Sequence, residues 1–192
     1  MIVGSHSCFL APHNDDEVLF GSFTLLREHP HVVVCLRSQR QGADTHLVRE
    51  RETAAAMEIL GCRWGQWEIP DSDPDWDAML VWIEKLSESY DHCYAPTPHV
   101  QENEWDETQP PPRGFGIVQH DAIGMMAEDA FDGRVTFYET YTKHGGKTTT
   151  GNEVPFEPEW VELKLRALAE YRSQIVLWPH HFINCQREFY AD

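Results

Sequence analysis

The chain has 192 residues, a formal net charge of −17 and an apolar fraction of 41% with seven tryptophans, which suits one globular domain over residues 1–192 with a sizeable core. No run of about 18 or more apolar residues is present, and the opening Met1-Ile2-Val3-Gly4-Ser5-His6-Ser7 carries no basic segment ahead of an apolar one, so neither a spanning helix nor a signal peptide is expected. The acidic excess argues against nucleic acid and against anionic membrane surfaces as partners, and leaves neutral or cationic small molecules open.

In chain order, Ser7 to Ala11 reads as a strand and Asp16 to Glu28 as a helix. His31 to Leu36 is a short, continuous, β-branched run of the kind found in a buried parallel strand. Asp44-Thr45 offers an N-cap for a helix to Leu60, and Gly61 stands where a left-handed C-terminal cap belongs. Trp67 to Ile69 reads as a weak strand before a turn at Pro70 to Pro74; Trp76 to Ser87 has helical spacing; His92 to Ala95 is a further strand. Pro96 to Gln119, rich in Pro, Glu and Gln, and Lys143 to Pro158 read as two long loops, with a strand, Val135 to Tyr141, between them. A helix covers Lys164 to Gln174, and Trp178-Pro179-His180-His181-Phe182 reads as an ordered turn. This alternation predicts an α/β fold, Rossmann-like, with a mostly parallel sheet and helices on both faces. Five scattered cysteines, Cys8, Cys35, Cys62, Cys93 and Cys185, form no Cys-x-x-Cys pair and suit reduced thiols in a cytoplasmic protein. Cys8 and Cys35 are expected in the core.

The chemistry concentrates in Ala11-Pro12-His13-Asn14-Asp15-Asp16-Glu17, where a first strand passes into a first helix. Open α/β sheets bind their ligands at such exits. His13 and Asp16 have the spacing to hold one metal ion, which leaves Asp15 to act as a base. A plainer reading is also open: Asn and Asp are good N-caps, and acids in a first turn suit the helix dipole.

The stretch resembles the Pro-His-x-Asp-Asp-Glu signature of the zinc-dependent de-N-acetylases of the PIG-L/LmbE-like family. Arg49-Glu50-Arg51-Glu52, in a helix ending Leu60-Gly61, is similar to the family's Arg-x-x-Glu helix. The resemblance implies that Arg49 and Glu52 frame the substrate site; the alternative is a salt bridge between them on the helix surface. His120, in Val118-Gln119-His120-Asp121, falls on the last histidine of the family's His-Pro-Asp-His motif and is thereby implied as the third metal ligand. Arg172-Ser173-Gln174 echoes the family's C-terminal helix. Two positions depart from the pattern. Ile117 stands where the family carries a histidine that steadies the oxyanion, and Gln119 replaces the usual Asp.

The resemblance therefore implies a Zn2+-dependent hydrolase that removes an acetyl or other acyl group from an amide nitrogen, with an N-acylated small molecule, an amino-sugar derivative, as substrate. His13, Asp16 and His120 would hold the metal, and Asp15 would be the base. Another first-row divalent ion fits the same ligands. His99, His144, His180 and His181 are the candidates to supply what Ile117 cannot, and His99 is favoured because it follows the His92 to Ala95 strand. Trp64, Trp67 and Trp105 are candidates to stack on a sugar. The alternatives are hydrolysis of another small-molecule amide, and a non-catalytic binding relative. A homo-oligomer is compatible with the sequence.

Overall fold

Cys8-Phe9-Leu10 becomes the middle of β1 (Ser7–Ala11), with its odd and even side chains entering two separate apolar layers. The computed structural model describes residues 6–38, 45–98, 115–140, 151–175 and 187–191. Around β1 stand α1 (Asp16–Glu28), β2 (His31–Val34), α2 (Thr45–Leu60), β3 (Trp64–Gln66), α3 (Trp76–Ser89), β4 (His92–Pro96), α4 (Phe115–Phe131) and β5 (Val135–Tyr138). Then follow β6 (Asn152–Glu153), α5 (Pro158–Glu170) and β7 (Phe189–Tyr190).

Among the described residues, seven strands run in the order β3-β2-β1-β4-β5-β7-β6. The first five are parallel, with Phe9 level with Val32 on one side and Tyr94 on the other; β7 joins antiparallel at the edge. Winding leaves β1 toward β2 and β3, then reverses toward β4 and β5. The crevice outside the carboxyl ends of β1 and β4 is thus the place where such sheets bind ligands. Helices cover both faces. Phe9, Val32, Val34, Tyr94 and Tyr138 pack with Val18 and Phe20 of α1, Met57 of α2 and Leu168 of α5. Cys8, Leu10, Val33 and Cys93 pack with Met79 and Ile83 of α3 and with Ile123, Ala127 and Phe131 of α4. Cys8 and Cys35 are both fully buried.

Most expected elements are present, with shifts that have physical causes. Gly61 adopts φ 67°; Gly61 N–H donates to Glu58 O (3.3 Å) and Cys62 N–H to Met57 O (3.0 Å), a left-handed cap that turns the chain at once into the sheet. The third strand therefore starts at Trp64, not Trp67. Val33 sits level with Gly65, and Trp67 N–H still donates to Val34 O at 3.0 Å. The loop expected up to Gln119 gives way to helix at Phe115. Helix α5 starts at Pro158, where a missing N–H costs nothing, and ends at Glu170, before the expected Gln174. Strands β6 and β7 escape a periodicity reading because two residues carry no period. Buried Lys164 bridges Glu188 Oε1 (2.6 Å) and Leu19 O (3.2 Å), and Glu188 Oε2 accepts from Phe23 N–H (2.9 Å), which fastens the chain before β7 to the back of α1. His99, Trp105, His144, the 178–182 turn and Cys185 lie outside the described residues.

Candidate metal centre

Just beyond β1 the chain turns through Asp15, at φ 108° and ψ −30°, a left-handed conformation rare outside glycine. Such a residue costs on the order of 1–3 kcal/mol and persists only where its surroundings hold it. Here they do. Asp15 C=O accepts from Val18 and Leu19 N–H (3.0 and 2.8 Å), Asp15 N–H donates to Glu17 Oε2 (3.0 Å), and His13 N–H donates to Asp16 Oδ2 (2.8 Å). The Asp15 carboxylate does not cap α1. It faces Arg49 Nη2 at 3.1 Å instead, so the helix start accounts for Asp16 and Glu17, which lie in its first turn, but not for the Asp15 side chain.

Asp16 is the centre of the constellation. Its Oδ2 lies 3.2 Å from His13 Nδ1 and 3.1 Å from His120 Nε2. Burial pushes this carboxyl up, but the charge of His120 and hydrogen bonds from His120 and His13 outweigh it and hold the group well below the usual carboxylate range. His120 comes from α4, is buried, and its ring stands perpendicular to that of Phe20. The three ligand atoms of His13, Asp16 and His120 all lie within 4.8 Å of one another. Bonds of about 2.0–2.2 Å in a tetrahedral zinc site separate neighbouring ligand atoms by about 3.3–3.6 Å. Two nitrogens and one carboxylate at these spacings fit a divalent first-row ion that keeps a fourth position open.

Side chains around the triad are braced from distant parts of the chain. Arg49 donates to Asn14 O and, at 3.1 Å, to Ser38 Oγ, while Ser38 donates to Asp71 Oδ2 at 3.2 Å. Glu52 does not pair with Arg49. Its Oε1 accepts from Ser173 N–H (2.7 Å) and its Oε2 from Ser173 Oγ–H (2.6 Å), which pins the turn after α5 to α2. Arg49 and Glu52 are both buried, and the surface salt bridge is not formed. Glu17, fully buried, has its carboxyl pushed up to about 8, chiefly by burial, against a hydrogen bond from Tyr171 that lowers it. Thr53 Oγ1 lies 3.0 Å from Tyr171 Oη and accepts from Asn14 Nδ2 at 2.8 Å. These supports were not readable beforehand, because each joins residues far apart in sequence.

The approach of β4 is described up to Pro98, and Pro96 and Pro98 lie against Gly124, one helical turn beyond His120. His99, His180 and His181, like His144, lie outside the described residues. Of the tryptophans, Trp64 packs at the edge of the first core layer, and Trp67 lies 5.8 Å from Trp82, centroid to centroid.

No protein-family model matches the chain, and no characterised relative matches its sequence. Solved structures do. A conserved protein, TT1542, from Thermus thermophilus is 19% identical with a TM-score of 0.69, over 97% of this chain and 94% of that one. The zinc-inhibited form of teicoplanin deacetylase Orf2 is 17% identical with a TM-score of 0.66, over 94% and 89%. The 4-carboxy-2-hydroxymuconate hydratase GalB from Pseudomonas putida is 17% identical with a TM-score of 0.62, over 93% and 82%. The chain thus has the LmbE/PIG-L-like α/β fold that its motifs imply. That fold carries both a deacetylase and a hydratase, so the reaction must be argued from the site.

Proposed function

We propose that this protein is a metal-dependent amide hydrolase that removes an acyl group, in the simplest case acetyl, from the nitrogen of an amino-sugar derivative. The observation that carries the reading is the single oxygen Asp16 Oδ2, placed 3.2 and 3.1 Å from two histidine nitrogens, with the carboxylate of the preceding residue, Asp15, turned onto Arg49. In this reading His13, Asp16 and His120 hold the ion. Zinc, or another first-row divalent ion, supplies Lewis acidity when bound: it acidifies a water and polarises the carbonyl under attack.

The chain's own residues supply the rest. Asp15 accepts the proton of the attacking water and later returns it to the departing amine nitrogen. Arg49 sets a positive charge beside that carboxylate and fixes its direction. Glu52 holds the Ser173-Gln174 turn at the rim and acts on substrate through it. His99 is the candidate donor to the developing oxyanion, since the strand that leads to it ends in the same crevice. A cytoplasmic small-molecule enzyme agrees with the composition, and among the described residues no helix is long and apolar enough to cross a membrane.

The test is metal analysis of the purified protein, followed by amine release from a panel of N-acetyl amino sugars and other N-acyl amides with zinc, iron, manganese, cobalt or nickel added in turn. Amine release that is lost in Asp15→Asn supports the reading. Hydration of an unsaturated carboxylate without amine release from any amide would replace it with a hydratase.

A further inference from the structure

His13 offers two ring nitrogens, and only one can face the cation. Nδ1 lies beside Asp16; Nε2 lies 2.6 Å from Gln119 Oε1. Gln119 is buried on α4, next in sequence to His120, and its other amide atom, Nε2, donates to the backbone carbonyl of Asp71 at 2.7 Å. A carbonyl oxygen only accepts, so the NH2 of Gln119 must point at Asp71. The amide oxygen is then the atom presented to His13. An amide oxygen also only accepts, so His13 Nε2 must carry a hydrogen. The Asp71 segment is itself anchored, with Asp71 N–H on Arg37 O at 3.0 Å and Ser38 Oγ–H on Asp71 Oδ2 at 3.2 Å.

We infer that Gln119 is a positioning residue for the metal centre: it takes the Nε2–H of His13, so that Nδ1, the nitrogen beside Asp16, is the one that would bind a divalent cation, releasing to solvent the hydrogen it otherwise donates to Asp16. The inference rests on the metal-binding part of the proposed function. A neutral amide does here what carboxylates and backbone carbonyls do behind other metal-bound histidines: it selects one nitrogen and holds the ring plane. The Asp71 carbonyl, the Gln119 amide and the His13 ring form one polarised series running toward the ion.

The test uses protein labelled with 15N in histidine and loaded with Zn2+. A long-range 1H–15N spectrum should show His13 bound through Nδ1, with a protonated Nε2. Chelator competition should show zinc bound about 10–100-fold more weakly in Gln119→Met, which fills the space without a comparable acceptor, with recovery to within about threefold in Gln119→Glu, which keeps one. Zinc on His13 Nε2 in the parent protein overturns the inference and needs no variant. So does a Gln119→Met protein, folded by circular dichroism, that binds zinc as tightly as the parent. A parent that binds none of the divalent metals overturns both the inference and the proposed function. A parent that holds zinc on Nδ1, and weakly so in Gln119→Met, but cleaves no amide upholds the inference and removes only the hydrolase reading.

Discussion

Arg49 Nη2 lies 3.1 Å from Asp15 Oδ2, while the same guanidinium donates to Asn14 O and Ser38 Oγ. One planar fork on α2 therefore fixes the backbone before Asp15, the direction of its carboxylate and the loop after β2. Lysine has the charge but not the fork. Arg49→Lys should lower turnover about a hundredfold, the scale of a small misplacement in a site, and leave zinc affinity within about threefold. Steady-state rates and chelator competition on one preparation check this; unchanged turnover would remove Arg49 from the site.

Asp15 is the proton acceptor in the proposed reaction and is not one of the three converging ligands. Asp15→Asn should retain the metal and lose roughly 10²–10⁴-fold in turnover. Loss of metal in that variant would make Asp15 a ligand.

Glu52 receives both the backbone N–H and the hydroxyl of Ser173. Glu52→Ala should cost about 1.5–3 kcal/mol in urea unfolding, the worth of hydrogen bonds to a charged group, with zinc affinity unchanged. A raised KM at full stability would show direct contact with substrate.

Gly124 carries α4 against the exit of β4. A Cβ there would stand 2.3 Å from Pro96 O, a backbone atom that cannot turn aside. Gly124→Ala should destabilise by about 1–3 kcal/mol through overpacking. It should also weaken zinc binding, because His120 rides on the displaced helix one turn away. Gly65→Ala, whose Cβ would meet nothing closer than 3.8 Å at His31 Nε2, is the control expected to stay near the parent.

Glu17 has a folded pKa raised, chiefly by burial, from 4.5 to about 8. Between those values the folded state holds a proton that the unfolded state has released. The Glu17 contribution to stability is therefore full below about pH 4.5 and declines as the pH rises toward 8. In metal-free protein kept in chelator, Tm should fall between pH 5 and pH 8, and Glu17→Gln should flatten that slope. Equal slopes in the two proteins would show that Glu17 is ionised throughout.

Local chemistry was legible in advance where one short segment decides it. The continuous run Val32 to Val34 is apolar on both faces, and Gly61 has the freedom its cap requires. The Pro12 to Glu17 stretch holds its carboxylates and histidine within one turn of chain. From these follow the parallel α/β fold, a site at the exit of the first strand and the nomination of His13, Asp15 and Asp16; the reversal of winding at β1 came only with the strand order. What lay beyond reach depends on residues brought together from afar. The start of β3 at Trp64 follows from its pairing with β2, because a half-exposed Trp-Gly-Gln run has no strong preference of its own. The antiparallel edge of β6 and β7 is too short to show a period, and the Lys164–Glu188 pair that fastens it joins two charges that composition alone would assign to the surface. Gln119 looked like a plain substitution for an acid until folding placed it between His13 and the Asp71 carbonyl. Arg49 and Glu52, three residues apart on one helix, could have paired on its surface; tertiary packing sent one to Asp15 and the other to Ser173. Propensity and periodicity act over a few residues, so they determine elements and motifs. The partner of a buried polar group is chosen only when the whole chain has closed around it, because only then does leaving it unpaired carry its full desolvation cost.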